Sequence, residues 1–282
     1  MPAIEIATGS PDGVRAMARR RNLDDRWVRL SLQAAQCATV WLARDDGEAI
    51  GIAVAHDTVE ARYVGELFVE PSYRRLGIAR RLLEQCFASE DVARSMLVDP
   101  DDAAGGALAL RFRMAPTEAI WRFAGVIPNE EELAKMAAGN YRFAVAPIDL
   151  REHEVAIDEL DRQTRGTSRG ADHAAFAQSA TGAAFFLNGE SVGYTYVWPD
   201  GSIGPLACAS EAYLVQIFAY ALLTLQRSYS ASWCSALVPG SNRRIARAAL
   251  RAGLRIEQSF LLAQDTAIAN LSTYVGYHQL LL

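Results

Sequence analysis

No run in this chain approaches the roughly 20 uninterrupted apolar residues that a membrane helix needs, so a membrane-spanning role is not expected. The opening segment, MPAIEIATGSPDG, lacks the basic and apolar regions of a secretory signal. Cysteine is sparse. Cys37, Cys86, Cys208 and Cys234 stand far apart, with no C-x-x-C and no histidine at ligand spacing, which argues against zinc or any other metal site. Each lies in an apolar stretch, so the expectation is four buried thiols in a reduced, cytoplasmic setting. Positive charge is not in excess: the formal net charge is −5, which gives no electrostatic reason to expect nucleic acid as a partner. The Lys-Ser/Thr pair of a P-loop nucleotide site is also missing.

What is present fits a soluble globular protein. Apolar residues make up 51% and charged residues 22% of 282 residues, enough chain for two domains of ordinary size.

One stretch organises the rest: Glu66 to Leu83, ELFVEPSYRRLGIARRLL. A short apolar strand (Leu67-Phe68-Val69) runs through Glu70-Pro71 into an arginine- and glycine-containing turn, Arg74-Arg75-Leu76-Gly77-Ile78-Ala79. An amphipathic helix carrying Leu82 and Leu83 follows. Strand, turn and helix in that order aim the unpaired N–H groups and positive dipole end of a helix at whatever sits above them. For a glycine-bearing turn the usual occupant is phosphate.

Around this stretch the chain reads as alternating elements. Ala3–Ala7 is strand-like, Val14–Arg21 and Asp24–Gln36 are helical, and Thr39–Ala43 and Ala49–Ala55 form a hairpin across Arg44-Asp45-Asp46-Gly47. Arg62–Val69 is the next strand. After the motif helix come a strand at Ser95–Val98, a helix at Ala103–Phe112 and a strand at Glu118–Phe123. A connecting helix, Asn129–Ala138, has an acidic first turn that suits its dipole. From Tyr141 the order begins again. Gly47-Glu48-Ala49-Ile50-Gly51-Ile52 matches Gly189-Glu190-Ser191-Val192-Gly193-Tyr194, and Ala109-Leu110-Arg111-Phe112-Arg113-Met114 matches Ala249-Leu250-Arg251-Ala252-Gly253-Leu254. Similar spacing between the two pairs in each half points to duplication of one α/β unit. The halves differ at the informative place. Where the first has its arginine-glycine arm, the second has Gly201-Ser202-Ile203-Gly204-Pro205-Leu206-Ala207 and then a helix expected over Glu211–Gln226, with no such turn before it.

The segment Val69-x-Pro71-x-x-Arg74-Arg75-Leu76-Gly77-Ile78-Ala79-x-x-Leu82-Leu83 resembles motif A of the GNAT acetyltransferases, whose core is Arg/Gln-x-x-Gly-x-Gly/Ala after a strand. The duplication is similar to tandem GNAT proteins, in several of which one unit is degenerate and carries an Ile-Gly-Pro-Leu-Ala-like strand. The resemblance implies an α/β (α+β) fold of two GNAT-like units, each a mixed, largely antiparallel sheet flanked by helices. Residues 1–127 would be the catalytic unit, 128–140 the connector and 141–282 the degenerate unit. It implies acetyl-CoA in a V-shaped gap between the fourth and fifth strands. The main chain of Leu67, Phe68 and Val69 would pair with the pantetheine arm. Arg74 would belong to the phosphate turn, with amides of Arg75, Leu76, Gly77, Ile78, Ala79 and Arg80 on the pyrophosphate.

Acetyl transfer to an amine needs a positioned thioester, a base for the ammonium proton and a donor for developing oxyanion charge. Glu66 is the candidate base; its bland alternative is an idle strand carboxylate. Tyr63 and His56 lie on neighbouring strands. The family's acid tyrosine, counted back from Arg113-Met114, corresponds to Ala109, which cannot donate a proton. Arg165, Arg169, Asp172 and His173 read either as an anionic-substrate or interdomain clamp or as a helix-start salt network at the surface. Tyr194, Tyr196 and Trp198 read either as the wall of a substrate cleft between the units or as core or sheet-packing surface. Arg169, Tyr194 and Tyr196 are thus the candidate substrate residues. The apolar tail, Leu271–Leu282, should pack on the second unit or across a homodimer interface. The expected function is acetyl-CoA-dependent N-acetyl transfer to a small-molecule or peptide amine. A coenzyme A-binding sensor or scaffold without turnover is the alternative.

Overall fold

The computed structural model describes residues 4–23, 28, 38–88, 92–267, 270–279 and 282. The expected helix Asp24–Gln36, and Cys37 with it, falls outside the described residues except for Val28. Two compact units emerge. The first holds Met1–Pro116, Leu262–Thr266 and Gln279–Leu281; the second holds Thr117–Leu261, Ala267–His278 and Leu282.

In the first unit, β1 (Glu5–Thr8), β2 (Thr39–Asp45), β3 (Glu48–Asp57) and β4 (Ala61–Val69) form an antiparallel series, and β5 (Ala93–Val98) joins β4 in parallel. Helix α1 (Pro11–Arg20) starts at Ser10, whose hydroxyl accepts the Gly13 N–H. Helix α2 (Ile78–Cys86) buries Ile78, Leu82, Leu83 and Cys86 on a core with Ala53, Val64, Val69 and Met96. Complete burial of each large aliphatic side chain contributes about 1.5–3 kcal/mol, so α2 is fixed to the sheet by its apolar face. Helix α3 (Ala103–Arg111) follows β5 and is capped by the Asp102 carboxylate.

The second unit repeats the plan. Strand β6 (Ala115–Val126) pairs along seven positions with β11 (Trp233–Pro239), which explains why this unit begins at Thr117 and not after residue 127 as expected. Helix α4 (Glu130–Ala137) is capped by Asn129, and β7 (Ala144–Pro147) leads to α5 (Leu150–Arg165) and α6 (Gly170–Ser179). Strands β8 (Thr181–Leu187), β9 (Glu190–Val197) and β10 (Ser202–Cys208) are antiparallel neighbours, and β10 meets β11 in parallel. Helix α7 (Leu214–Tyr229) starts three residues later than expected and supplies Leu214, Ile217, Phe218, Leu222 and Leu225 to the core. Helix α8 (Arg243–Arg251) precedes β12 (Arg255–Gln264), and β13 (Tyr274–Val275) is the last strand among the described residues.

The duplication holds in backbone detail. The β2–β3 turn puts Asp46 and Gly47 at φ 47° and 84°; the β8–β9 turn puts Asn188 and Gly189 at 53° and 86°. After α3, Met114 N–H donates to Ala109 O at 3.0 Å, and after α8, Leu254 N–H donates to Ala249 O at 3.0 Å. The left-handed residues in these caps are Arg113 and Gly253. Both hairpins also shift register at matching places, between Ala43 and Arg44 and between Phe185 and Phe186.

Candidate active site

Strands β4 and β5 pair only at Ala61↔Ala93 through Val64↔Met96. Strand β4 continues to Val69, still paired with β3 through Gly51↔Val69, Ile52↔Phe68 and Ala53↔Leu67. Among the described residues no strand pairs with the other edge of Gly65–Val69. The parting coincides with a bulge: Val54 faces Glu66 while Ala55 faces Val64, which leaves Gly65 as the extra residue. A bulge bends its strand and interrupts pairing, so here it opens a gap lined by main-chain groups.

Beyond Val69 a single 3₁₀ turn, Pro71–Tyr73, leads to Arg74, whose Nε donates to Val69 O at 3.2 Å and closes the loop on itself. Arg75 and Gly77 take left-handed φ values of 68° and 77°. Gly77 is the N-cap of α2 and offers no side-chain cap, so amides of the first turn stay available. A Cβ at Gly77 would meet nothing within 4 Å; glycine is required there by conformation, and the space above it is open. Arg74, Arg75, Leu76 and Arg80 are exposed while Ile78 is buried. Helix dipole, free amides and surrounding arginines together favour an anion. These features fit the pantetheine-diphosphate portion of a coenzyme A thioester: an unpaired strand edge next to an uncapped helix N-terminus.

Glu66 is 7% exposed. Arg21 Nη1 donates to its Oε1 at 2.6 Å and Gln279 Nε2 donates to its Oε2 at 3.1 Å. The Arg21 guanidinium also lies over the Phe68 ring, 4.4 Å from its centroid. His56 and Tyr63 are buried neighbours on β3 and β4, paired across the ladder. Ala109 is 1% exposed, so an apolar, closed position stands where the family's acid tyrosine is expected.

In the second unit the matching edge is filled. Strand β10 pairs with β11 only at Ser202↔Ser235 and Ile203↔Ala236. Beyond that point β13 enters: Leu206 pairs with Val275, Ala207 with Tyr274, and Gly276 bridges Leu237 on β11. Gly204 makes the approach feasible, since a Cβ there would lie 2.6 Å from Gly276 O. Asn242 Nδ2 holds the Tyr274 carbonyl at 2.8 Å, and Tyr277 stacks on Trp198 at 3.9 Å between centroids. Leu271–His278 therefore packs on the second unit, one of the two places expected for the tail, whereas Gln279 belongs to the first.

The candidate substrate residues need correction. Tyr194 and Tyr196 are 0% exposed and Arg169 is 3% exposed. They belong to a buried network around Asp161: Tyr194 OH donates to Asp161 Oδ1 at 2.5 Å, and His173 bridges Asp161 Oδ2 (2.8 Å) and the Tyr196 hydroxyl (3.2 Å). Arg169 Nη2 donates to the Tyr274 hydroxyl at 2.9 Å. The cluster is neither a surface salt network nor an open substrate wall, because every polar end points into the unit's interior. Burial alone would raise the Asp161 pKa, but the His173 hydrogen bond and the charges of Arg169 and Arg165 outweigh it and hold it below the ordinary value. Burial raises the Tyr196 and Tyr274 hydroxyls and pushes the Cys86 and Cys234 thiols up to about 12. Cys86, Cys208 and Cys234 are all buried and free, as expected of structural thiols.

Residues 36–109 match the acetyltransferase (GNAT) domain family. The chain carries a GNAT domain. Whole-chain fold similarity extends this. A Pyrococcus horikoshii protein described as a candidate acetyltransferase aligns with TM-score 0.71 at 18% identity, over 99% of this chain and 95% of that one. A tandem GNAT protein from the clavulanic acid biosynthesis pathway, solved without acetyl-CoA, aligns with TM-score 0.62 at 15% identity, over 93% and 98%. A GCN5-related N-acetyltransferase from Sphaerobacter thermophilus gives 0.64 at 17%, over 97% and 99%. At these identities the likeness concerns fold: the chain has the mixed α/β GNAT fold. No curated protein sequence matches. No described helix is long and apolar enough to cross a membrane.

Arg21 and Gln279 escaped sequence reading because they lie 45 and 213 residues from Glu66. Asp161 carried no motif. The filling of the second gap left one trace, the glycine at position 204.

Proposed function

We propose that the first unit is an acetyl-CoA-dependent N-acetyltransferase acting on a primary amine of a small molecule or peptide in the cytoplasm, with one cofactor site per chain. The observation that carries this reading is the free edge of Gly65–Val69 running directly into the uncapped α2 N-terminus. Coenzyme A, when bound, supplies an acetyl group activated as a thioester. The main chain of Leu67–Val69 is suited to hold the pantetheine arm as a neighbouring strand would, and the amides of Arg75–Arg80 to hold the diphosphate. Glu66 receives the ammonium proton, directly or through a water. Its oxygens each accept one bond from Arg21 or Gln279, which leaves two acceptor sites on the carboxylate. Lowering the cost of deprotonation and fixing the amine near the thioester are the chain's own contributions.

The closed apolar position at Ala109 favours a second reading, coenzyme A binding without turnover. One experiment separates the two: thiol release from acetyl-CoA across a broad amine panel, beside calorimetric titration with acetyl-CoA. Turnover with any amine and one equivalent bound supports the transferase. Binding without turnover across the panel favours the sensor, and no binding defeats both.

A further inference from the structure

Glu66 is oriented by two residues from segments far apart in sequence, Arg21 just after α1 and Gln279 near the chain's last described residues. Each takes a different carboxylate oxygen. A carboxylate can only accept, so Gln279 must present its side-chain N–H to Glu66. Gln279 is itself held: its main-chain carbonyl accepts the Tyr63 hydroxyl. Tyr63 and Glu66 would point to opposite faces of a regular strand. The extra residue Gly65 brings them to the same face, as their partners His56 and Val54 on β3 record. Gln279 thus grips β4 on both sides of the bulge that opens the cofactor gap.

We infer that Gln279 is a positioning residue for Glu66 in amine acetylation, fixing the carboxylate plane against the bulge. This role rests on the transferase reading above. The terminal torsion of glutamate is broad and close to two-fold when unrestrained. Donors on both oxygens restrict it, and the remaining acceptor sites then keep a constant direction relative to Gly65. Arg21 supplies charge and stacking over Phe68 on one side. Gln279 supplies an uncharged donor on the other, which orients the carboxylate without adding a second counter-charge.

The test uses the full chain as wild type, Gln279→Met, Gln279→Ala and Gln279→Glu, with the best amine from the panel and acetyl-CoA as probes. Methionine keeps length and apolar contact but removes the donor, so a packing role and a positioning role diverge on it. The expected result is a fall in kcat of about tenfold for Gln279→Met and Gln279→Ala, the scale of one lost hydrogen bond to a charged group. A larger fall is expected for Gln279→Glu, which sets two carboxylates together. KM for acetyl-CoA and its calorimetric affinity stay within about twofold throughout, since the cofactor segment is untouched. Wild-type kcat in Gln279→Met overturns the positioning role, as does a change confined to acetyl-CoA affinity. An inactive wild type overturns the transferase reading itself, and this role with it.

Discussion

The two units share a plan to the level of individual turn dihedrals and helix caps, yet they treat one strand edge in opposite ways. In the first, β4 parts from β5 after Val64, and among the described residues no strand takes the edge of Gly65–Val69 beside a helix start with no side-chain cap. In the second, β10 parts from β11 after Ile203 and β13 takes the vacant edge. The helix after β10 differs too, since Ser210 Oγ accepts the Ala212 N–H at 3.3 Å and Tyr213 N–H returns to Ser210 O at 3.1 Å. Backbone groups at a sheet edge need partners. One unit supplies them from its own chain, and in the other no described strand does. A repeated fold therefore does not imply a repeated site.

The contrast breaks most sharply at Gly77. Gly77→Glu forces a β-carbon into a left-handed conformation and sets a negative charge at the anion site; acetyl-CoA affinity should fall by roughly 100-fold or more by calorimetry. Ser210→Glu, on the corresponding turn of the second unit, should leave affinity unchanged, and a comparable loss there would contradict the one-site reading. Next in size is stability. Asp161→Asn removes a buried negative charge that faces Arg169 and one of the two acceptor oxygens that serve Tyr194 and His173, at a cost of about 3–5 kcal/mol, visible as a drop in Tm on the order of 10 °C. The same carboxylate sets a pH dependence. Its folded pKa is depressed, so its stabilisation is complete above the unfolded value near 3.9 and is lost as pH falls through the folded value. Denaturant titrations should show steeper acid loss in wild type than in Asp161→Asn. The smallest effect is Arg80→Ala. Its pair with Glu84 spans 3.6 Å with both side chains at least half exposed, so stability should move by less than about 0.5 kcal/mol. Acetyl-CoA affinity should weaken by about threefold, and less at high salt.

Much of the fold was legible because it rests on local rules. Alternation gave the β2–β3 hairpin, Asp46-Gly47 gave its turn, and the Leu82-Leu83 face gave α2. The turn between β4 and α2 was legible for the same reason: its residues lie within one short stretch. The surroundings of Glu66 were not, because Arg21 and Gln279 reach it only through tertiary packing. The aromatic row at Tyr194, Tyr196 and Trp198 follows the core alternative and not the substrate-wall one. Period-two spacing places side chains on one face of a strand, and it says nothing about whether that face meets solvent or the α5–α6 layer. The expected unit boundary at 127 failed on pairing, since β6 has its seven-residue ladder with β11.

A strand tethered to the unit it completes acts as an intramolecular ligand, and its effective concentration is on the order of millimolar or above for a short connection. Free cofactor would have to outcompete β13 at that concentration, as well as the Asn242 clamp on Tyr274 and the Trp198–Tyr277 stack. The second edge is thus protected by mass action as long as free acetyl-CoA stays well below that effective concentration. On the proposed one-site reading, the response to acetyl-CoA should follow a simple hyperbola with no cooperative term.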